Sequence, residues 1–368
     1  MREKLVKMTN NINIRHAIQK AGSVDVAQFM EFVLSGKEHG YYTNKDPIGR
    51  NGDFITAPEI SQLFGEMIGL KLAQFWLQSG QPKDCILVEL GPGKGTLMND
   101  LLRATKNVPG FHQAMTVYML EISNPLLQEQ KLIANQNSEV KFNWISSLNE
   151  LPNQPIYLVA NEFFDALPIN QYVKNRHEWY EVLVTLSPEN GEYKFIEALL
   201  EAKRDQLLNE EYPGAKHRSY VEVSTQSIEI IKDISTRIAK STGIGIVIDY
   251  GYCINNLVRS DFNSTLQSVI AHKYNPVLSY VGQADITAHV DFFALRAAAM
   301  ARGVEVDEII TQGEFLLNMG IKLRAEILKK NAANDVKKTI DLAVARLISP
   351  HQMGELFKVM LVTKSQNN

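Results

Sequence analysis

From Asp84 onward the sequence alternates short, almost unbroken apolar runs with longer amphipathic stretches, and this alternation leaves few folds open. Residues 85–90, 115–121, 140–145, 155–161 and 245–250 read as strands, with helices expected over 96–104, 124–134 and 225–240. Strands that are apolar on both faces belong in a parallel sheet with helices on either side, because only there does neither face meet water. Residues 171–196 break this pattern. Tyr172-Val173-Lys174, Trp179 to Val184 and Tyr193 to Ile196 are arranged around a charged turn, as in a small antiparallel meander. Apolar residues at helical spacing occupy 26–34 and 59–78 before the core, and 292–302 and 315–347 after it; 356–363 closes the chain as a last strand. The expected architecture is α/β: a doubly wound core (81–255 and 350–368), a helical N-terminal cap (1–80), a β-meander inserted at 169–222, and a mainly helical insertion at 256–349 on the substrate side. Within the cap, the Gly/Pro/Asn-rich stretch 40–58 is expected to form a long functional loop.

In an open parallel sheet, ligands bind beyond the carboxyl ends of the strands, so the residues ending these runs carry the functional information. The first run ends in Glu89-Leu90-Gly91-Pro92-Gly93-Lys94-Gly95-Thr96. Its glycines permit a tight turn and close approach of a ligand to the backbone, and the helix that follows begins with free N–H groups. A P-loop needs four spacer residues and then Gly-Lys-Ser/Thr, whereas Gly95 follows Lys94 here. A dinucleotide turn wants glycine at the sixth position, where Thr96 stands. Acidic-x-Gly-x-Gly-x-Gly, with the acid at the strand end, is the order class I methyltransferases use. Their cofactor, S-adenosylmethionine (SAM), presents an ammonium that Glu89 can pair with. On the glycines alone, NAD stays open as a competitor.

Glu121 ends the second run, where a carboxylate can hold both hydroxyls of an adenosine ribose, whether in NAD or in SAM. The fourth run ends in Asn161-Glu162-Phe163-Phe164-Asp165-Ala166-Leu167-Pro168. Asn161 and Glu162 offer oxygens to a substrate nitrogen, and Phe163 or Phe164 can lie against a cation. In the plainer reading, Glu162 and Asp165 cap a helix start and the phenylalanines are core.

These strand ends, taken with Gly40-Tyr41-Tyr42, Gly52-Asp53-Phe54-Ile55-Thr56-Ala57-Pro58-Glu59-Ile60-Ser61, Asp249-Tyr250-Gly251-Tyr252, Asp285-Ile286-Thr287-Ala288-His289-Val290-Asp291-Phe292 and Gly354-Glu355-Leu356-Phe357-Lys358-Val359, resemble the MidA family of class I methyltransferases. Its mitochondrial members are arginine methyltransferases that assist assembly of respiratory complex I. The resemblance implies a Rossmann-like class I SAM-dependent methyltransferase core, SAM as cofactor, and as partner an arginine-bearing protein such as a complex I subunit. The cofactor is expected on Glu89, Gly91, Pro92, Gly93, Gly95, Thr96 and Glu121, with Thr56 and Asn161 beside them. The chemistry is expected on Glu162, helped by Asn161 and by Asp165 or Asp53, under a lid holding Tyr42, Phe54 and Thr56. His289 is a further candidate proton acceptor. The chain departs from the family at 266–274, where Lys273 and His272 are the basic residues in place of an Arg-rich stretch.

Composition narrows the alternatives. A net charge of −3 gives no general attraction to a polyanion, so no nucleic-acid partner is expected. Cys85 and Cys253 are the two cysteines, both expected as small buried hydrophobes, and eight scattered histidines show no ligand spacing; neither a disulfide nor a metal is expected. No apolar stretch approaches the ~20 residues of a membrane helix, and an oligomer is allowed. The first twenty residues are basic, with Arg2, Lys4, Lys7, Arg15 and Lys20 against Glu3. Cytoplasm is expected, or the mitochondrial matrix if these residues are a transit segment. Two other functions compete. An NAD-dependent oxidoreductase would lack the sixth glycine and any Tyr-x-x-x-Lys pair after the core. A non-catalytic SAM-binding assembly factor would use the meander and the C-terminal helices for docking.

Overall fold

A helix, α1 (Gln62–Gln78), leads into a sheet whose first strand, β1 (Cys85–Leu90), is buried along its whole length. In chain order there follow α2 (Thr96–Thr105), β2 (Met115–Leu120), α3 (Asn124–Gln136), β3 (Lys141–Ile145), β4 (Ile156–Asn161), α4 (Thr225–Lys240), β5 (Gly243–Tyr252), α5 (Phe292–Met300), β6 (Val304–Val306) and β7 (Phe357–Lys364). The computed structural model describes residues 14–35, 56–254, 264–270 and 273–365.

The strands lie in the order β6-β7-β5-β4-β1-β2-β3; two-residue strands at Val290–Asp291 on β5 and at Ile310–Thr311 on β7 complete a nine-stranded sheet. From β3 across to β5 every pairing is parallel, and β7 runs antiparallel to β5. The chain builds outward from β1 to β3, then returns to lay β4 on the other side of β1. The order therefore reverses between β1 and β4, the crevice where such sheets receive ligands. Like β1, β4 is buried at every residue, as its unbroken apolar run requires.

Helix α1 approaches α2 closely because Gly65 and Gly69 face it. A Cβ on Gly69 would come within 2.9 Å of the Leu101 carbonyl oxygen, and one on Gly65 within 2.8 Å of the Asp100 Cβ. Beside this contact the buried Glu66 accepts from Arg103 Nη2 at 2.9 Å and from Arg324 Nε at 2.7 Å. The pair fixes α1, α2 and the helix Ile321–Lys329 together, and with them the turn at the start of α2.

Two compact units emerge. The sheet just described, with its helices, is the unit of Ile48–Asp165, Ile228–Cys253 and Val290–Asn368; Met1–Pro47, Ala166–Ser227 and Ile254–His289 form the other. These limits cut across the expected cap and insertion, because α1 packs on α2 and the helices after Val290 pack within the core unit. In the other unit the expected meander (Asn170–Asn175, Glu178–Leu186, Tyr193–Leu199) gains Tyr220–Val223 and the two-residue strand Val24–Asp25. A three-stranded sheet of Gln267–Ile270, Lys273–Asn275 and Asp285–Thr287 stands in the first part of the insertion expected to be mainly helical, ahead of its expected helices.

The expected helix 315–347 is three helices, Gln312–Asn318, Ile321–Lys329 and Asn334–Ile348; Gly320, at φ 83°, breaks the first from the second. The expected helix 59–78 breaks at Ser61, whose extended backbone ends the short helix Ala57–Ile60 and caps α1. Cys85 is buried as expected, but Cys253 is exposed, because it lies beyond the sheet-covered part of β5. Among the described residues, no helix is long and apolar enough to cross a membrane.

Candidate functional site

The turn after β1 is built for close approach. Gly91, Gly93 and Gly95 have φ of 61°, 54° and 80°, a region that side-chain-bearing residues rarely enter. Gly91 also needs to be small: a Cβ there would meet the Phe163 ring at 3.0 Å. That contact joins the end of β1 to the end of β4. Pro92 is buried within the turn, and Thr96 at the start of α2 donates its hydroxyl to Glu59 Oε1 at 2.5 Å. Thr96, expected on the cofactor, thus has its hydroxyl hydrogen engaged within the protein.

Two carboxylates flank the turn. Glu89 is buried; the Met98 backbone N–H donates to it, while its Oε2 has no hydrogen-bond partner among the described residues. Burial pushes the Glu89 carboxyl well above the usual range, and the nearby Glu121 adds to the effect. Glu121 follows β2 directly and is half-buried, with both carboxylate oxygens hydrogen-bonded. Its Oε1 accepts from the N–H of Ile122 at 2.8 Å and of Ser123 at 2.7 Å, and its Oε2 from Gln130 Nε2 at 3.0 Å. Burial raises its pKa, and these hydrogen bonds draw it back.

At the end of β4, Asn161 is buried and its Oδ1 has no hydrogen-bond partner among the described residues; its Nδ2 donates to Glu162 Oε1 at 3.3 Å. Glu162 takes a φ of 49°, which costs a residue with a Cβ about 1–2 kcal/mol unless its surroundings hold it there. They do. The Glu162 N–H donates to the Ile248 carbonyl at 3.0 Å, and the three N–H groups that follow, from Phe163, Phe164 and Asp165, all donate to Asp249 Oδ2 at 3.0–3.2 Å. The turn is therefore capped by Asp249 of β5, not by Glu162 or Asp165 as the plainer sequence reading has it. That leaves Glu162 half-buried at the strand end, its Oε1 accepting from the Ala57 N–H at 3.2 Å. Asp165 is buried and accepts the Tyr250 hydroxyl at 2.5 Å. Burial raises the Asp249 pKa well above the ordinary carboxylate value, with Asp165 and Glu162 adding their charges. The arrangement can receive a cation, accept hydrogen bonds from it, and hold a proton.

The core unit thus brings together Glu89, the three glycines, Pro92, Thr96, Glu121, Asn161, Glu162 and Asp165. Thr56 caps Ala57–Ile60 without a side-chain hydrogen bond to that helix. This four-residue helix touches both halves of the site, through Glu59 on Thr96 and the Ala57 N–H on Glu162. Asp53, with Tyr42 and Phe54, lies outside the described residues. His289 belongs to the other unit, where its N–H donates to Thr265 Oγ1 at 3.0 Å. Sequence reasoning quotes Asp249 within a family-matching string but gives it no role, and passes over Gln130. The strand-end rule, applied to 245–250, would also pick out Asp249, while no local signal marks Gln130.

The model of a family of S-adenosyl-L-methionine-dependent methyltransferases matches residues 67–310. The chain is 31% identical to the protein arginine methyltransferase NDUFAF7, mitochondrial, of Rattus norvegicus, over 94% of this chain and 82% of that protein. It is 31% identical to the Homo sapiens protein of the same name, over 96% of this chain and 83% of that protein. A protein from Burkholderia thailandensis, solved bound to S-adenosyl-homocysteine, superposes with a TM-score of 0.83 at 27% identity, covering 95% of this chain and 90% of that one.

Proposed function

The chain belongs to the family of S-adenosyl-L-methionine-dependent methyltransferases, and from that premise we propose that it methylates an arginine side chain of a protein. SAM is its cofactor, and the strand ends fit it. Glu89 keeps a buried oxygen without a partner among the described residues, the glycines permit close approach to the turn, and hydrogen bonds orient both oxygens of Glu121. Glu89 would receive the ammonium. The backbone of Gly91, Pro92, Gly93, Gly95 and Thr96 would line the turn, Glu121 would take the ribose hydroxyls, and Thr56 and Asn161 would border the reacting end. When bound, SAM supplies an electrophilic methyl group on its sulfonium.

The observation that carries the arginine reading is Glu162, a carboxylate set at a strand end on a strained backbone beside Asn161 and Asp165. A guanidinium is always protonated and its charge delocalised. A carboxylate against it localises that charge, orients one nitrogen, and receives the proton that the methylated nitrogen gives up. Glu162 would do this, with Asp165, steadied by Tyr250, or Asp53 as the second carboxylate. The names of the relatives support arginine as the target. Those names also carry the word mitochondrial, which supports a mitochondrial location over the cytoplasm; the matrix is the compartment we infer, and the family resemblance supports a subunit of a complex I-type assembly as the substrate.

The test is incubation of the purified protein with methyl-labelled SAM and cell lysate, followed by mass spectrometry. Label on arginine of a discrete protein is expected. Label on another residue type or on a small molecule, or no label, would overturn the reading.

A second expectation concerns pH. With its pKa raised by burial, Glu89 takes up a proton more readily in the free protein; an ammonium beside it lowers that pKa again. SAM binding should therefore release protons, and affinity should rise with pH through the raised pKa, by up to about tenfold per pH unit. Calorimetry in buffers of different ionisation enthalpy reads the proton count. Glu89→Gln should remove the dependence, and a dependence that survives this change would exclude Glu89 as its source.

A further inference from the structure

We propose that Gln130 is a positioning residue of the cofactor site, locking the Gly-rich turn and the carboxylate of Glu121 into one preformed surface. The inference rests on the reading that this turn and Glu121 hold SAM. Gln130 lies on α3 and is fully buried. Its Nε2 donates to the Gly93 carbonyl at 2.7 Å and to Glu121 Oε2 at 3.0 Å, and its Oε1 accepts from the indole N–H of Trp144 at 3.0 Å. An indole N–H only donates, so Oε1 must face Trp144, and both amide hydrogens must face the turn and Glu121. The neighbours thus fix the amide's orientation.

Helix α3 also lies directly against the turn: a Cβ on Gly95 would stand 3.4 Å from Ile133 Cγ1 and 3.6 Å from Gln130 Cγ. A buried amide is costly unless hydrogen-bonded, and an apolar side chain could fill this place without that cost. Here both donor bonds go to groups assigned to the cofactor, the Gly-rich turn and the ribose-holding Glu121. Glu121 is left with its two oxygens aimed and little freedom to lose on binding, which is how preorganisation raises affinity.

The experiment titrates the full chain with S-adenosylhomocysteine and with its 2′,3′-dideoxy analogue, for wild type, Gln130→Met, Glu121→Gln and the double variant. Methionine matches glutamine in length but lacks the donors. Gln130→Met should weaken S-adenosylhomocysteine binding about tenfold, the loss of one hydrogen bond to a charged group. The loss should shrink for the dideoxy analogue and in the Glu121→Gln background, neither of which a purely structural role would produce. A folded Gln130→Met that binds like wild type, or that loses equally for both ligands, would overturn the proposal while leaving Glu121 in the site. If Glu121→Gln itself binds like wild type, the assignment of Glu121 fails and this inference with it. Should Gln130→Met not fold, Trp144→Phe decides. Freeing the amide from its anchor should weaken binding about two- to threefold, and unchanged affinity would overturn the proposal.

Discussion

Replacing Gly93 by valine should abolish SAM binding measurable by calorimetry, with affinity falling by more than about a hundredfold. Two effects combine. Gly93 has a φ of 54°, where a β-branched residue is a true outlier, so the turn must rearrange or carry strain of about 1–3 kcal/mol. A turn that relaxes also loses the bond from Gln130 Nε2 to the Gly93 carbonyl, and with it the register between turn and Glu121. If the turn receives the cofactor, added bulk at Gly93 would also oppose its close approach to the backbone. The rest of the sheet does not depend on this position, so the variant should keep its secondary structure by circular dichroism. Retained affinity would place the cofactor elsewhere in the molecule.

Glu162→Gln should separate binding from chemistry. Glutamine keeps the volume and can still accept from the Ala57 N–H and from Asn161 Nδ2, so the strained turn held by Asp249 should survive. What disappears is the negative charge. SAM affinity should stay within about twofold, and methyl transfer to a recognised protein should drop by roughly 10²–10⁴-fold, the range for losing a positioned proton acceptor. The measurement is single-turnover transfer of label at saturating SAM. Unchanged turnover would remove Glu162 from the catalytic role and shift attention to Asp165.

Much of the core was legible because burial on both faces leaves a strand nothing but apolar residues. Cys85–Leu90 and Ile156–Asn161 fall within one residue of the expected 85–90 and 155–161, and each ends at a functional candidate. Pairings across long separations were not legible. Val24 pairs with Val184, and β7 with β5, through ladders that no local pattern records. The short strands at Gln267–Ile270 and Asp285–Thr287 are likewise specified by each other and not by their own periodicity. At the site, glycine spacing revealed the turn, and polar residues after apolar runs revealed Glu89, Glu121 and Asn161-Glu162. The left-handed backbone of Glu162 had no sequence signature, because Asp249 enforces it from another strand. Gln130 was hidden for a different reason: one polar residue on an amphipathic helix reads as its wet face, and only the fold shows it to be dry.

The helix Ala57–Ile60 makes one hydrogen bond to each half of the site, Glu59 to Thr96 beside the turn and Ala57 to Glu162 at the end of β4. A ligand that displaced this helix from one half would disturb its hydrogen bond to the other, and linkage would then require the effect to be equal in both directions. The size of that reciprocal factor, read as the change in SAM affinity when a protein substrate is present, measures how stiff a connection four residues can make.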